Sequence, residues 1–125
     1  MKKKYIFVSI DNSNIKESSK IISLIKDDIA GIKIGIEYLS NGPEGVKALS
    51  RYNLPIFYDC KFFDIKNSVV KAIEALKNLP NISYLTVHLL NGEETLIKAK
   101  QAADALSIKL IGITVLTSFS NENLK

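Results

Sequence analysis

The chain has 125 residues, 46% hydrophobic and 24% charged, with seventeen basic against thirteen acidic side chains and a formal net charge of +4. That balance is ordinary for one globular domain over residues 1–125, and no apolar run approaches the roughly 18–20 residues that span a bilayer. A single cysteine, Cys60, excludes an internal disulfide and fits a reducing cytoplasm, and the lysines form no basic stripe interleaved with aromatics that would speak for nucleic acid.

The start, MKKKYIFVSID, opens on Lys2-Lys3-Lys4, which reads as a solubilising tail. It resembles the basic region of a secretory signal, but the apolar run is short and no small-residue cleavage site follows, so it reads as mature sequence. Residues 5–10 predict a first strand, closed by Asp11. Ile15, Ile21, Ile22 and Ile25 then recur at helical spacing and predict a helix ending before Gly31. Residues 29–36 predict a second strand with Lys33 inside it. Asn41-Gly42-Pro43-Glu44 opens a second helix marked by Val46 and Leu49, with proline just inside its start. A third strand, 54–58, runs into Asp59-Cys60-Lys61-Phe62-Phe63-Asp64. Val69, Val70, Ile73, Leu76 and Leu79 line a third helix that Asn78 and Pro80 stop. Residues 83–88 predict a fourth strand, and Leu96, Ala99, Ala102, Ala103 and Leu106 a fourth helix, with Glu93 and Glu94 in its first turn where the helix dipole favours acids. A fifth strand is predicted over 110–116.

Strands recurring at intervals of roughly 25 residues, with helices between them, imply parallel βα units buried on both faces. Two architectures fit: an open doubly wound sheet, or the first half of a (β/α)8 barrel, whose eight units would need roughly 220–250 residues.

In both, ligands bind at the carboxyl ends of the strands, and that is where the polar residues collect. Asp11 follows the first strand, Asp59 and Lys61 close and follow the third, His88 closes the fourth and Thr117 the fifth. A lysine inside an apolar strand is costly unless paired or facing a cavity. By strand alternation Lys33 projects away from Ile32 and Ile34, and Asp59 and Lys61 share a side with Cys60 on the other. If those sides coincide, the three charges converge as a cation–anion–cation row suited to proton transfer and to stabilising a charged intermediate. Each residue also has a plainer reading. Lys33 could snorkel from an edge strand, Asp64 could cap the third helix, Asp11 the first, and His88 could be structural.

Taken together, Asp59-x-Lys61-x-x-Asp64-Ile65-Lys66-Asn67-Ser68 resembles the D-x-K-x-H-D-I-P-N-T signature of the orotidine 5′-phosphate decarboxylase family. Ile32-Lys33-Ile34-Gly35 resembles that family's second-strand lysine and Ser9-Ile10-Asp11 its first-strand aspartate. Thr86-Val87-His88 with Gly92, and Val115-Leu116-Thr117-Ser118, resemble its fourth and fifth strand ends. The likeness spans the whole chain but only the first half of the family's barrel. It implies decarboxylation of orotidine 5′-phosphate to UMP in pyrimidine biosynthesis, without metal or cofactor, by a cytoplasmic homodimer. On that resemblance Lys61 protonates C6, Asp59 sits beside the substrate carboxylate, Lys33 bridges Asp59 and the ribose, and Asp11 holds a ribose hydroxyl. Asp64 acts across the dimer interface with Ile65 and Ser68; His88 and Thr117 join the substrate-binding set.

Phe63 stands where the family usually has histidine, Lys66 where it has proline and Ser68 where it has threonine. The family's phosphate grip lies in its last strands, so the resemblance implies that these residues lack it. Two other readings stay open: a magnesium-dependent sugar-phosphate decarboxylase or aldolase of the same superfamily, and a non-catalytic α/β half-barrel.

Overall fold

The computed structural model describes residues 5–124, so the Lys2-Lys3-Lys4 run lies outside the described residues. Five strands, β1 (Phe7–Ile10), β2 (Gly31–Ile34), β3 (Ile56–Phe62), β4 (Ile82–His88) and β5 (Lys109–Ile113), form one parallel sheet in the order β1-β2-β3-β4-β5. This order decides between the two predicted architectures. A doubly wound sheet reverses its strand order at a switch point, whereas a (β/α)8 barrel adds each strand beside the last. The chain therefore folds as successive βα units of a barrel. No helix among the described residues is long and apolar enough to cross a membrane.

The helices are α1 (Ile15–Ile25), α2 (Ile36–Leu39), α3 (Gly42–Ser50), α4 (Lys66–Ala75) and α5 (Glu93–Ala105). Four were expected. The additional one, α2, takes the end of the stretch read as a 29–36 strand: β2 stops at Ile34, and Gly35 in an extended conformation starts the helix. Tyr38 drives this turn, because its ring is fully buried and its hydroxyl donates to the Gly45 carbonyl at 2.7 Å. The cap of α1 is Asn14, whose side chain accepts from Glu17 N at 2.9 Å, which leaves Asp11 free of that duty. A 3-10 turn over Leu76–Asn78 tightens the end of α4.

Two apolar clusters hold the helices on the outer face of the sheet. Ile10, Ile22, Ile32, Ile34, Tyr38, Val46, Leu49 and Ile56 form one; Val69, Ile73, Leu76, Leu85, Val87, Ala99, Ala103 and Ile108 form the other. Tyr58, Leu79 and Ile82 pack against both. Truncating a fully buried member such as Ile22 or Ile73 to alanine costs about 2–5 kcal/mol.

The inner face is layered. At its base the rings of Phe7, Phe57 and Tyr84 meet, with centroids 5.8 to 6.5 Å apart. Phe7 can lie across β2 because Gly31 offers no side chain there; a Cβ on Gly31 would stand 2.4 Å from the Phe7 ring. Two residues further along the strands, on the same face, come Lys33, Asp59 and Thr86.

Candidate active site

Asp59 is the centre of the charged row. It is 7% exposed, and both its oxygens are occupied. Lys61 Nζ donates to Oδ1 at 2.9 Å and to Oδ2 at 3.0 Å, Lys33 Nζ approaches Oδ2 at 3.4 Å, and Thr86 Oγ1 donates to Oδ1 at 2.9 Å. Burial alone would raise the Asp59 carboxyl. The Lys61 and Thr86 hydrogen bonds, with the charges of Lys61 and Lys33, outweigh it and hold the group below the ordinary carboxylate value. The expected convergence of Lys33, Asp59 and Lys61 is therefore what the fold builds.

Plain alternation is not how it is built. β3 runs to Phe62, so Asp59 and Lys61 lie within the strand rather than at and beyond its end. Tyr58 pairs with Leu85 and Phe62 with Val87, so Asp59, Cys60 and Lys61 on β3 oppose Thr86 alone on β4. This is a bulge, and Lys61 completes it in the left-handed region at φ 48°. Such backbone is costly for a side-chain-bearing residue and concentrates at functional sites. Here it turns the Lys61 amine back onto Asp59. Cys60 points to the helix side, packing against the second cluster, and burial pushes its thiol up to about 12.

Lys33 and Lys61 face a cleft of about 550 Å³ whose far wall is residues 112–118, Thr117 among them. Thr117 does not close a strand as expected. β5 ends at Ile113, opposite the last residue of β4, His88, and without a pairing neighbour residues 114–116 continue as loop. Asp11 lies at the exposed end of β1, takes a hydrogen bond from Ser9 at 2.9 Å and has Oδ1 close against Gly35.

The remaining residues stand apart from the row. Asp64, Ile65 and Ser68 are exposed on the loop after β3 and the first turn of α4. Asp64 caps nothing further along the helix; its Oδ1 accepts only from the next amide, Ile65 N, at 2.7 Å. Asn91 holds this loop, donating to the carbonyls of Phe62 and His88 at 2.7 Å each and accepting from Asp64 N at 3.1 Å. His88 accepts from Leu90 N through Nδ1 and stacks on Phe63 at 5.3 Å, so its ring shapes this loop. Lys66 pairs with Glu94 across to α5.

Thr86, quoted only as part of the fourth strand end, receives no role from the sequence. Its signal was available: a hydroxyl between Leu85 and Val87 sits on the inner face by alternation, opposite the site that DCK occupies. Among the described residues no three His, Cys, Asp or Glu side chains gather as a metal-ligand set.

Residues 4–125 match the sequence model of the Orotidine 5′-phosphate decarboxylase / HUMPS family. The chain belongs to that family. An orotidine 5′-phosphate decarboxylase of Wolbachia sp. subsp. Brugia malayi is 39% identical over 120 residues, which cover 95% of this chain and 53% of that protein. One from Rhodospirillum rubrum is 37% identical over 128 residues. The crystal structure of orotidine 5′-phosphate decarboxylase from Lactobacillus acidophilus superposes with a TM-score of 0.86 at 33% identity, over 98% of this chain and 58% of that one. The chain thus spans about half the length of the curated relatives it matches. The motif resemblance and the half-barrel architecture expected from the sequence agree with these matches.

Proposed function

We propose that these βα units carry the reacting groups of an orotidine 5′-phosphate decarboxylase, which converts orotidine 5′-phosphate to UMP and carbon dioxide. The observation that carries the reading is the Lys33–Asp59–Lys61 row, with both ammoniums turned to one cleft. In the reaction the bond from C6 to the carboxylate breaks, carbon dioxide leaves, and the electron pair left on C6 takes a proton from the Lys61 ammonium. Asp59, kept ionised by its neighbours, holds Lys61 in place and lies beside the departing carboxylate, where like charge disfavours the bound ground state. Lys33 offsets the same negative charge and reaches toward the ribose, with Asp11 on a ribose hydroxyl and Thr117 on the cleft wall. None of these groups grips the phosphate, so on this reading it is held by residues outside the four βα units and the fifth strand.

Asp64, Ile65 and Ser68 belong, on the same reading, to an interface between two copies, with Asp64 reaching the partner's site, and His88 stays with the substrate-binding set. What supports this is the company Asp64 keeps: Phe63, Ile65, Leu89 and Leu90 around it are all exposed apolar side chains, as surfaces awaiting a partner are.

The test is release of labelled carbon dioxide from carboxyl-labelled orotidine 5′-phosphate by the purified chain, with Lys61→Ala alongside and a chelator present. Activity that survives the chelator and falls by about 10²–10⁴-fold or more in the variant supports the reading. Chelator-sensitive turnover would point to the magnesium-dependent branch, and inactivity of both proteins would make this half-barrel an incomplete enzyme that does not turn over without a phosphate grip.

A further inference from the structure

We infer that Thr86 is the positioning residue of this site, one side chain that sets both the carboxylate and the lysine of the Asp59–Lys61 pair. The inference rests on the functional reading above for its importance, and on geometry alone for its content. Thr86 is the only β4 residue opposite the three-residue bulge of β3, and it serves all three. Its hydroxyl donates to Asp59 Oδ1 at 2.9 Å, the same oxygen accepts Lys61 N at 2.8 Å, and its carbonyl lies 3.5 Å from Cys60 Sγ.

Each contact answers a need of the bulge. Lys61 N, displaced from regular strand pairing by the bulge, would otherwise be a part-buried orphan donor. Satisfying it with a side-chain oxygen stabilises the left-handed turn that folds the amine back onto Asp59. The hydroxyl hydrogen then has one good acceptor left, the carboxylate, so the direction of both hydrogen bonds is fixed by the amide. The groups facing Asp59 are Lys33 from β2, Lys61 from β3 and Thr86 from β4. Only Thr86 contacts the backbone of one partner and the side chain of the other. At 1% exposed it is also out of reach of the cleft, so it acts through Asp59 and Lys61 and not on a ligand.

The experiment compares wild type, Thr86→Val and Thr86→Ser. By NMR the Asp59 carboxyl carbon is titrated and the exchange of the Lys61 amide hydrogen is followed, neither of which needs turnover. Thr86→Val keeps shape and removes the hydroxyl, so Asp59 is expected to titrate at higher pH and the Lys61 amide to exchange about tenfold faster or more. Thr86→Ser is expected to restore both. In an assay with turnover, the valine variant should lose kcat with little change in KM, and serine should recover it. An Asp59 titration unmoved in folded Thr86→Val would overturn the inference. So would a Lys61 amide that exchanges as freely as an unbonded one in the wild-type protein, a measurement that stands even if the valine variant does not fold. Loss of the decarboxylase reading would leave these NMR outcomes intact, so the two failures are distinguishable.

Discussion

Lys33 and Asp59, twenty-six residues apart in sequence, meet on neighbouring strands with Nζ 3.4 Å from Oδ2. Asp59 is also bonded to Lys61, and its carboxyl sits below the ordinary value in the folded chain. An unfolded aspartate titrates near about 3.9. The folded form therefore binds fewer protons than the unfolded form between the two values, and stability rises with pH across that window. The contribution of Asp59 is complete above about pH 4 and is lost as the pH falls through its lowered folded value.

Urea unfolding followed from pH 7 to pH 2 should therefore show a steeper acid loss in wild type than in Asp59→Asn. At pH 7 the variant should itself be weaker by about 1–3 kcal/mol, since two ammoniums are left without their anion while water, reaching about a third of each lysine side chain, screens part of the loss. Parallel stability–pH curves for the two proteins would contradict the prediction.

The left-handed backbone at Lys61 makes an unusual ranking of variants. Lys61→Ala and Lys61→Gly both remove the amine, but only glycine adopts φ 48° without a Cβ penalty. Glycine should be the more stable of the two by about 1 kcal/mol, the reverse of the order expected in a regular strand. Thermal melting decides it; a higher Tm for the alanine variant would mean the bulge relaxes once the amine is gone.

Cys60, between the two charged residues of the bulge, should be unreactive. Burial pushes its thiol up to about 12 from 9.0; backbone amides and Thr86 lower it in part, and the Asp59 charge adds to the rise. At pH 8 its thiolate fraction falls about a thousandfold below that of an ordinary cysteine. Iodoacetamide should label the native chain very slowly and the urea-unfolded chain at the normal rate. Fast native labelling would place the thiol on the wrong side of the sheet.

Much of this site was legible because alternation and strand-end position are local properties. Lys33 amid Ile32 and Ile34 faces away from both, and Asp59 and Lys61 stand on the side opposite Cys60, although the bulge and not plain alternation brings the Lys61 amine onto Asp59. What escaped was set by pairing between strands. The length of β3 and the bulge at Cys60 depend on how it registers with β4, and the end of β5 at Ile113 on where β4 ends. The four-residue α2 is too short to show a helical period, and it forms because Tyr38 has a buried pocket beside Gly45. Asn91, which holds the Asp64 loop through three hydrogen bonds, gave no pattern to read because its partners, Phe62, Asp64 and His88, lie on other segments.

The aromatic base formed by Phe7, Phe57 and Tyr84 has a consequence for how the charges above it are felt. Two residues of strand separate Asp59 from Phe57 and Thr86 from Tyr84, a rise of about 7 Å. Below the row lie hydrocarbon rings that polarise little; above it lies the cleft. The two ammoniums and one carboxylate therefore sit at a dielectric boundary, and their field is damped least toward the rings and solvated only from the cleft side. A molecule that enters the cleft displaces the very water that screens the row, so its arrival strengthens the potential that receives it.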